Sequence, residues 1–199
     1  MSRGFVRERS LWLIADEVYN RIVYGNQVAP SFLAVAEPAD RLIVVNSFSK
    51  TWAMTGWRLG WMVTPPDLLP TVEKLVEFNT SGSPTFLQRA AITAIRDGEP
   101  FVQSFVARCR EAREAAIGAL QTCRRVEVAR PEGAFYAFLR VAGISDSTAF
   151  AKELLAKTKI GLAPGSAFGP MGEGYLRLCF AREPAAIAAA VERMRPMLD

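Results

Sequence analysis

Histidine is absent from the 199-residue sequence, and cysteine occurs at only three positions, Cys109, Cys123 and Cys179. The missing imidazole excludes Ser-His-Asp and Cys-His mechanisms of nucleophilic catalysis, because both need it as the base. The cysteines form no C-x-x-C pair, so we expect no zinc or other metal site. A sparse, odd set of cysteines fits reduced thiols, and we therefore expect a cytoplasmic protein.

Long apolar runs are also missing, and none approaches the roughly 20 residues of a membrane-spanning helix. Residues 11–15 form only five apolar residues before Asp16, which is too short for the core of a signal peptide. Hydrophobic residues make up 50% of the chain and charged residues 22%, as in ordinary globular proteins. We therefore expect no membrane partner.

The excess of positive charge is small, with a net charge of +4. Its densest group contains five arginines: Arg108, Arg110, Arg113, Arg124 and Arg125. Glu111 and Glu114 interrupt the group, and no aromatic residues alternate with it as a base-stacking platform needs. We interpret the group as a solvated helix face and expect no nucleic-acid partner.

What the sequence does contain first is a set of short apolar runs that predict strands. They cover residues 11–15, 42–45 and 59–63. Their continuous apolar character is typical of buried strands, and parallel ones in particular. Asp16 follows the first run, and Ser47 lies just after the second. In open α/β sheets ligands bind beyond the carboxyl ends of strands, so both residues are candidates for a binding site.

The order of the remaining elements predicts two domains. Helical spacing of apolar residues covers residues 67–78, 83–95 and about 100–123. Beyond this point short strands (126–129, 134–140, 175–180) alternate with helices (147–157, 184–196). This pattern indicates an α/β domain over residues 1–105 and a smaller α+β domain over residues 106–199, with the boundary inside the long helix.

The most informative segment is residues 46–60, which reads NSFSKTWAMTGWRLG. A predicted strand ends in hydroxyl residues, and a lysine and a glycine-flanked arginine follow in the pattern S-x-S-K-x5-G-x-R-x-G. Many positions are fixed in this pattern, so a chance match is improbable. The segment resembles the fold-type I aminotransferases of class I and II.

Other segments resemble the same family: A-D-E-x-Y at 15–19, G-x-F-Y at 133–136, P-G-S-x-F-G at 164–169 and R-L-x-F-A at 177–181. The resemblance therefore extends from Leu11 to the end of the chain. It implies an α/β fold, in which the C-terminal part of the large cofactor-binding domain, a mostly parallel sheet with helices, is followed by a smaller α+β domain. It also implies the cofactor pyridoxal 5'-phosphate.

The resemblance implies a role for each residue of the motif. Lys50 would bind the cofactor as a Schiff base and then move a proton as acid and base. Asp16 would keep the pyridine nitrogen protonated, and Tyr19 would donate its phenol to the ring oxygen. Ser47 and Arg58 would hold the phosphate. The alternatives are a surface lysine for Lys50, a helix N-cap for Asp16 and a core tyrosine for Tyr19.

Arg177 would bind the substrate α-carboxylate, and its alternative role is a structural ion pair. The implied activity moves an amino group between an amino acid and a 2-oxo acid, and full-length family members are commonly homodimers. A C–S lyase of the same fold and a non-catalytic remnant or effector domain that binds the cofactor remain alternatives.

Family members are longer at the N-terminus, so we expect this chain to be truncated there. The resemblance places the remaining parts of the cofactor site upstream. Half of a parallel sheet would expose apolar faces and edges that are normally covered. We therefore hypothesise that the 199-residue chain alone folds poorly and does not turn over substrate.

Overall fold

The computed structural model describes residues 3–25 and 28–199, without the side chain of Arg3. The chain forms two compact units, Met1–Gln103 and Ser104–Asp199. The division falls inside the longest helix, which covers Glu99–Leu120.

The first unit is built on a three-stranded sheet with the order β1-β2-β3. The strands are β1 (Leu13–Asp16), β2 (Leu42–Ser47) and β3 (Gly60–Val63). β1 and β2 are parallel, and Asp16 lies opposite Val45. β3 joins β2 antiparallel, so that Gly60 lies opposite Ser47. The last residues of β1 and β2 therefore share one edge of the sheet, as the sequence predicted.

The helices of the first unit are α1 (Arg3–Glu8), α2 (Phe48–Thr51), α3 (Leu69–Thr80), α4 (Thr85–Asp97) and the beginning of α5 (Glu99–Leu120). The helix predicted from residue 67 begins later, because Pro66–Leu68 forms a 3-10 turn before it. α4 begins after Pro84. The backbone N–H at the start of a helix has no intrahelical acceptor, and proline suits this position because it has no backbone N–H.

The first unit has small clusters of buried hydrophobic residues. One contains Ala15, Leu42 and Val44, and another contains Phe48, Leu59 and Ala91. All four residues of β3 are exposed, and α3 has no buried residue. The prediction of a buried first strand is wrong for Leu11, Trp12 and Ile14, which are exposed, because no described residue covers them. Ile14 alone is 67% exposed.

The second unit is an antiparallel sheet with two helices of its own and most of α5, and it has the larger core. Its strands are β4 (Val126–Val128), β5 (Tyr136–Val141), β6 (Ala163–Pro164) and β7 (Tyr175–Cys179), in the order β4-β5-β7-β6. Its own helices are α6 (Ser147–Thr158) and α7 (Pro184–Leu198). Leu139, Leu154 and Leu176 are fully buried. Alternate residues of β5 and β7 point into this core, so the other residues of both strands form an outward face.

The arginine group predicted as a solvated helix face is not one surface. α5 ends at Leu120, so Arg124 and Arg125 lie beyond it. Arg113 is buried, donates to the carbonyl oxygen of Pro131 at 2.8 Å and pairs with Glu114 at 2.7 Å. The interpretation is therefore wrong for Arg113, whose guanidinium ties α5 to the following loop. Over residues 3–25 and 28–199 no helix combines the length and apolarity needed to cross a bilayer.

Candidate active site

Lys50 lies in a single helical turn directly after β2. Ser47 ends the strand in an extended conformation, and its hydroxyl accepts a hydrogen bond from the backbone N–H of Ser49 at 3.0 Å. This cap fixes the start of the turn, which is why serine suits the position. Phe48 is buried below the turn against Leu59, so the half-buried Lys50 is carried on an anchored segment.

Arg58 is brought next to Ser47 by the pairing of β2 and β3. The carbonyl oxygen of Leu59 accepts hydrogen bonds from the Ser47 hydroxyl at 3.2 Å and from the Phe48 N–H at 3.1 Å. Arg58 is the residue before Leu59, and its backbone is left-handed, with φ 52° and ψ 46°. Left-handed geometry costs a non-glycine residue about 1–2 kcal/mol, and such strain is concentrated at functional sites. Ser47 therefore lies against the segment that carries Arg58.

Gly60 and Gly56 flank Arg58, but the structure explains only Gly60. A Cβ at Gly60 would lie 2.6 Å from the carbonyl oxygen of Asn46 on β2. A side chain there would push the two strands apart. Around Gly56, by contrast, no atom of the described residues comes within 4 Å of a Cβ position. Close packing of β2 against β3 therefore requires a glycine at position 60 alone.

Asp16 ends β1, and Tyr19 in the turn that follows it approaches Lys50. The Asp16 carboxylate accepts a hydrogen bond from the N–H of Val18 at 3.2 Å. Residues 18–21 form a turn, so the alternative of a helix N-cap does not describe Asp16. The Nζ of Lys50 lies 5.9 Å from the centroid of the half-buried Tyr19 ring, within the range of a cation–π contact. An amine, a phenol and a carboxylate thus lie along one edge of the sheet.

Two supporting residues were missed by the sequence analysis. Glu17 accepts hydrogen bonds from the Ser31 hydroxyl at 3.0 Å and from the Phe32 N–H at 2.9 Å, which ties the loop after residue 28 to the end of β1. Asn46 is buried, and its side-chain oxygen accepts from the Ser47 N–H at 2.9 Å. The sequence feature that could have identified Glu17 and Asn46 is their position next to Asp16 and Ser47 at the strand ends.

Arg177 belongs to the second unit and lies on the outward face of β7. Its guanidinium carbon is 4.3 Å from the centroid of the Tyr136 ring and 4.3 Å from that of the Phe168 ring. Within the described part of the chain Arg177 has no carboxylate partner, so the alternative of a structural ion pair is not observed. The cation is held by aromatic rings instead.

A cavity at the other end of the first unit has different chemistry. It is lined by residues at the starts of the two parallel strands, among them Leu13 and Leu42. Two arginines line it: Arg7 is paired with Glu37 and Asp40, and Arg41 donates to the carbonyl oxygen of Ser10 at 2.8 Å. No group of three metal-binding side chains occurs among the residues that the structure describes. The strand ends around Lys50 are therefore the candidate active site.

The sequence of the chain is similar to those of one protein family. The sequence matches "Aminotransferase class I and II" over residues 3–194. The aspartate aminotransferase of Thermotoga maritima is 36% identical, over 98% of this chain and 50% of the relative. The aspartate aminotransferase of Pyrococcus horikoshii is 33% identical, over 96% of this chain and 49% of the relative.

Solved structures of aminotransferases have a similar fold. The crystal structure of an aromatic aminotransferase from Pyrococcus horikoshii has a TM-score of 0.91 and 34% identity, and the match covers 98% of this chain and 53% of that one. The α/β fold class that the sequence predicted is thereby confirmed. The chain spans about half the length of the relatives that it matches.

Proposed function

Because the chain belongs to the class I and II aminotransferases, we propose that it carries the lysine-bearing part of an enzyme that moves an amino group between an amino acid and a 2-oxo acid. The observation that supports this most is the contact of the Lys50 amine with the Tyr19 ring beside the carboxyl ends of β1, where Asp16 lies, and β2. The matched relatives are named as aminotransferases, which does not favour the C–S lyase or the non-catalytic alternative.

The cofactor that the family implies is pyridoxal 5'-phosphate, and the chemistry of the side chains fits it. When bound, this group supplies an electron sink for negative charge at the substrate α-carbon. Lys50 supplies the primary amine that would hold it covalently and would later move the α-proton. Asp16 supplies a carboxylate for the ring nitrogen, and Tyr19 supplies a phenol beside the Lys50 amine.

Ser47 and Arg58 would hold the phosphate group. Arginine offers a planar fork of N–H donors that matches phosphate oxygens, and serine adds a neutral hydroxyl donor. The Ser47 hydroxyl donates its only hydrogen to the Leu59 carbonyl oxygen at 3.2 Å, and it would turn from this bond to donate to a phosphate. The Nη1 of Arg58 donates to the carbonyl oxygen of Thr55 at 3.1 Å, which leaves its other N–H groups for an anion.

In this proposal residues 1–105 are the C-terminal part of the cofactor-binding domain and residues 106–199 are the small domain. Arg177 would bind the α-carboxylate of the substrate, since it is a half-buried cation without a carboxylate partner in the described chain. Family resemblance further supports a cytoplasmic enzyme that works as a homodimer.

The proposal is tested by the absorbance spectrum of the purified chain with pyridoxal 5'-phosphate. We expect a protein-bound band that Lys50→Ala abolishes, with Lys74→Ala as the matched control that keeps it. Product analysis of any turnover should give the 2-oxo acid, whereas ammonia and a thiol would indicate a lyase. An identical spectrum for Lys50→Ala and the unaltered chain would contradict the proposal.

A further inference from the structure

We propose that Tyr136 and Phe168 are positioning residues, which hold the guanidinium of Arg177 between their rings so that its N–H edge can bind a planar carboxylate. This inference rests on the proposed function, because it presumes that Arg177 receives the substrate carboxylate. It adds two residues to which the sequence assigned no such role. Both lie in the second unit, as Arg177 does.

The register of the sheet brings one of the two rings to Arg177. Arg177 lies opposite Phe138 of β5, and Tyr136 lies opposite Cys179. Tyr136 is therefore the diagonal neighbour of Arg177 on the outward face, at a separation that an aromatic ring can span. The measured separation of 4.3 Å between guanidinium carbon and ring centroid is a close cation–π contact.

The second ring comes from the 3-10 turn Gly165–Phe168, which follows β6. Phe168 contacts Phe138 edge to face, with ring centroids 5.9 Å apart and an angle of 88°. Phe138 in turn stacks on Tyr175 at 4.9 Å with an angle of 6°. Phe168 therefore rests on a row of rings along the sheet, although 48% of its own surface is exposed.

Hydrogen bonds fix the loop that carries Phe168. The Ser147 hydroxyl donates to that of Ser166 at 2.9 Å and accepts from the Ser166 N–H at 3.2 Å. The Glu173 carboxylate accepts from the N–H groups of Ser147 and Gly174, the latter at 3.0 Å. The anchors lie on both sides of Phe168 in the chain, so they hold the backbone that presents its ring to Arg177.

Both contacts of the guanidinium plane are to aromatic rings, and neither involves an oxygen acceptor. All five N–H donors of arginine lie in that plane, where they match a carboxylate bidentately. Among the described residues the guanidinium of Arg177 neither pairs with a carboxylate nor makes a hydrogen bond that would have to break first. The rings thus orient the cation without competing with an incoming anion.

The test is an NMR titration of the full chain with pyruvate, the simplest 2-oxo acid with a single carboxylate. The probe is the side-chain Nε–H resonance of Arg177, identified by its loss in Arg177→Lys. We expect the resonance to be shifted by the ring currents and to respond to pyruvate. Phe168→Leu and Tyr136→Leu should each abolish part of the ring shift and weaken pyruvate binding about three- to tenfold.

Conservative variants separate positioning from folding. Phe168→Tyr and Tyr136→Phe keep the rings and should restore both the shift and the affinity. Met171→Leu, at a 91% exposed position nearby, is the matched control and should bind pyruvate as the unaltered chain does. Unchanged affinity in both leucine variants would overturn the positioning role alone. A wild-type Arg177 resonance that ignores pyruvate would overturn the carboxylate role and the positioning role with it.

Discussion

Replacing Gly60 with alanine should damage both the fold of the first unit and the site around Lys50. The added methyl group would lie 2.6 Å from the Asn46 carbonyl oxygen, where ordinary contact begins at 3.4 Å. β2 and β3 must therefore separate locally by about 0.8 Å. Overpacking of this kind costs about 1–3 kcal/mol of the free energy of unfolding.

The separation also reaches the site, because Gly60 lies opposite Ser47. The hydrogen bond of 3.2 Å between the Ser47 hydroxyl and the Leu59 carbonyl joins the same strands and would lengthen. A displacement of about 1 Å in reacting groups can cost on the order of 100-fold in rate. We therefore expect weaker binding of pyridoxal 5'-phosphate in Gly60→Ala, besides the loss of stability.

Thermal unfolding and cofactor titration measure the two effects. For a chain of this size a loss of 1–3 kcal/mol lowers the unfolding temperature by about 2–12 °C. Gly56→Ala is the matched control for unfolding, since its methyl group would meet no described atom within 4 Å. Equal unfolding temperatures for Gly60→Ala and Gly56→Ala would refute the packing argument.

Three further predictions concern the rest of the molecule. Leu154→Ala removes a fully buried side chain of α6 and should lower the free energy of unfolding, measured in urea, by about 2–5 kcal/mol. Leu155 on the same helix is 49% exposed, so Leu155→Ala should lower it far less. Similar losses of stability in the two variants would contradict the described core. Hydrogen bonds from the Gly174 and Ser147 N–H groups lower the pKa of Glu173. The stability that Glu173 contributes is therefore present above its unfolded pKa near 4.5 and is lost as pH falls through the lower folded pKa. Glu173→Gln should flatten this acid dependence of the unfolding temperature, and an unchanged dependence would contradict the prediction. The exposed apolar side chains of the first unit, such as Phe78 at 86%, should bind the dye ANS in the native chain. Phe78→Ser should reduce the ANS fluorescence. A native chain that does not increase ANS fluorescence would contradict this prediction.

The strand ends could be predicted from the sequence because two local signals coincide there. Apolar runs end at Asp16 and Ser47, and the structure places both residues at the last positions of parallel neighbours. The two signals are the end of an apolar run and the polar residue that follows it, whereas the N-cap role of Ser47 before α2 was found only in the structure. Both signals act within a few residues, where sequence reasoning is strongest.

Contacts between distant segments could not be predicted in the same way. The bond between Ser47 and Leu59 depends on the antiparallel pairing of β2 with β3, and the left-handed backbone of Arg58 follows from the same connection. The rings around Arg177 come from β5 and from the turn after β6. β6 itself has only two residues, Ala163–Pro164, and was missed because so short a strand has no periodicity.

The apolar run before Asp16 shows a different limit. Its composition predicts a strand covered on both faces, but Ile14 is 67% exposed in the structure. Periodicity reports the environment to which a strand is suited, and the described residues of this chain supply only part of that environment. The exposure of Ile14 and of β3 is therefore a feature that the composition of these runs did not predict.

The most direct measurement is to locate the lysine that binds pyridoxal 5'-phosphate. The chain contains five lysines, at positions 50, 74, 152, 157 and 159. After reduction of the complex with borohydride, peptide mass spectrometry should find the pyridoxyl group on Lys50, and Lys50→Arg should eliminate it without creating another labelled site. Equal labelling of the other lysines, or a label that persists in Lys50→Arg, would contradict the assignment of Lys50.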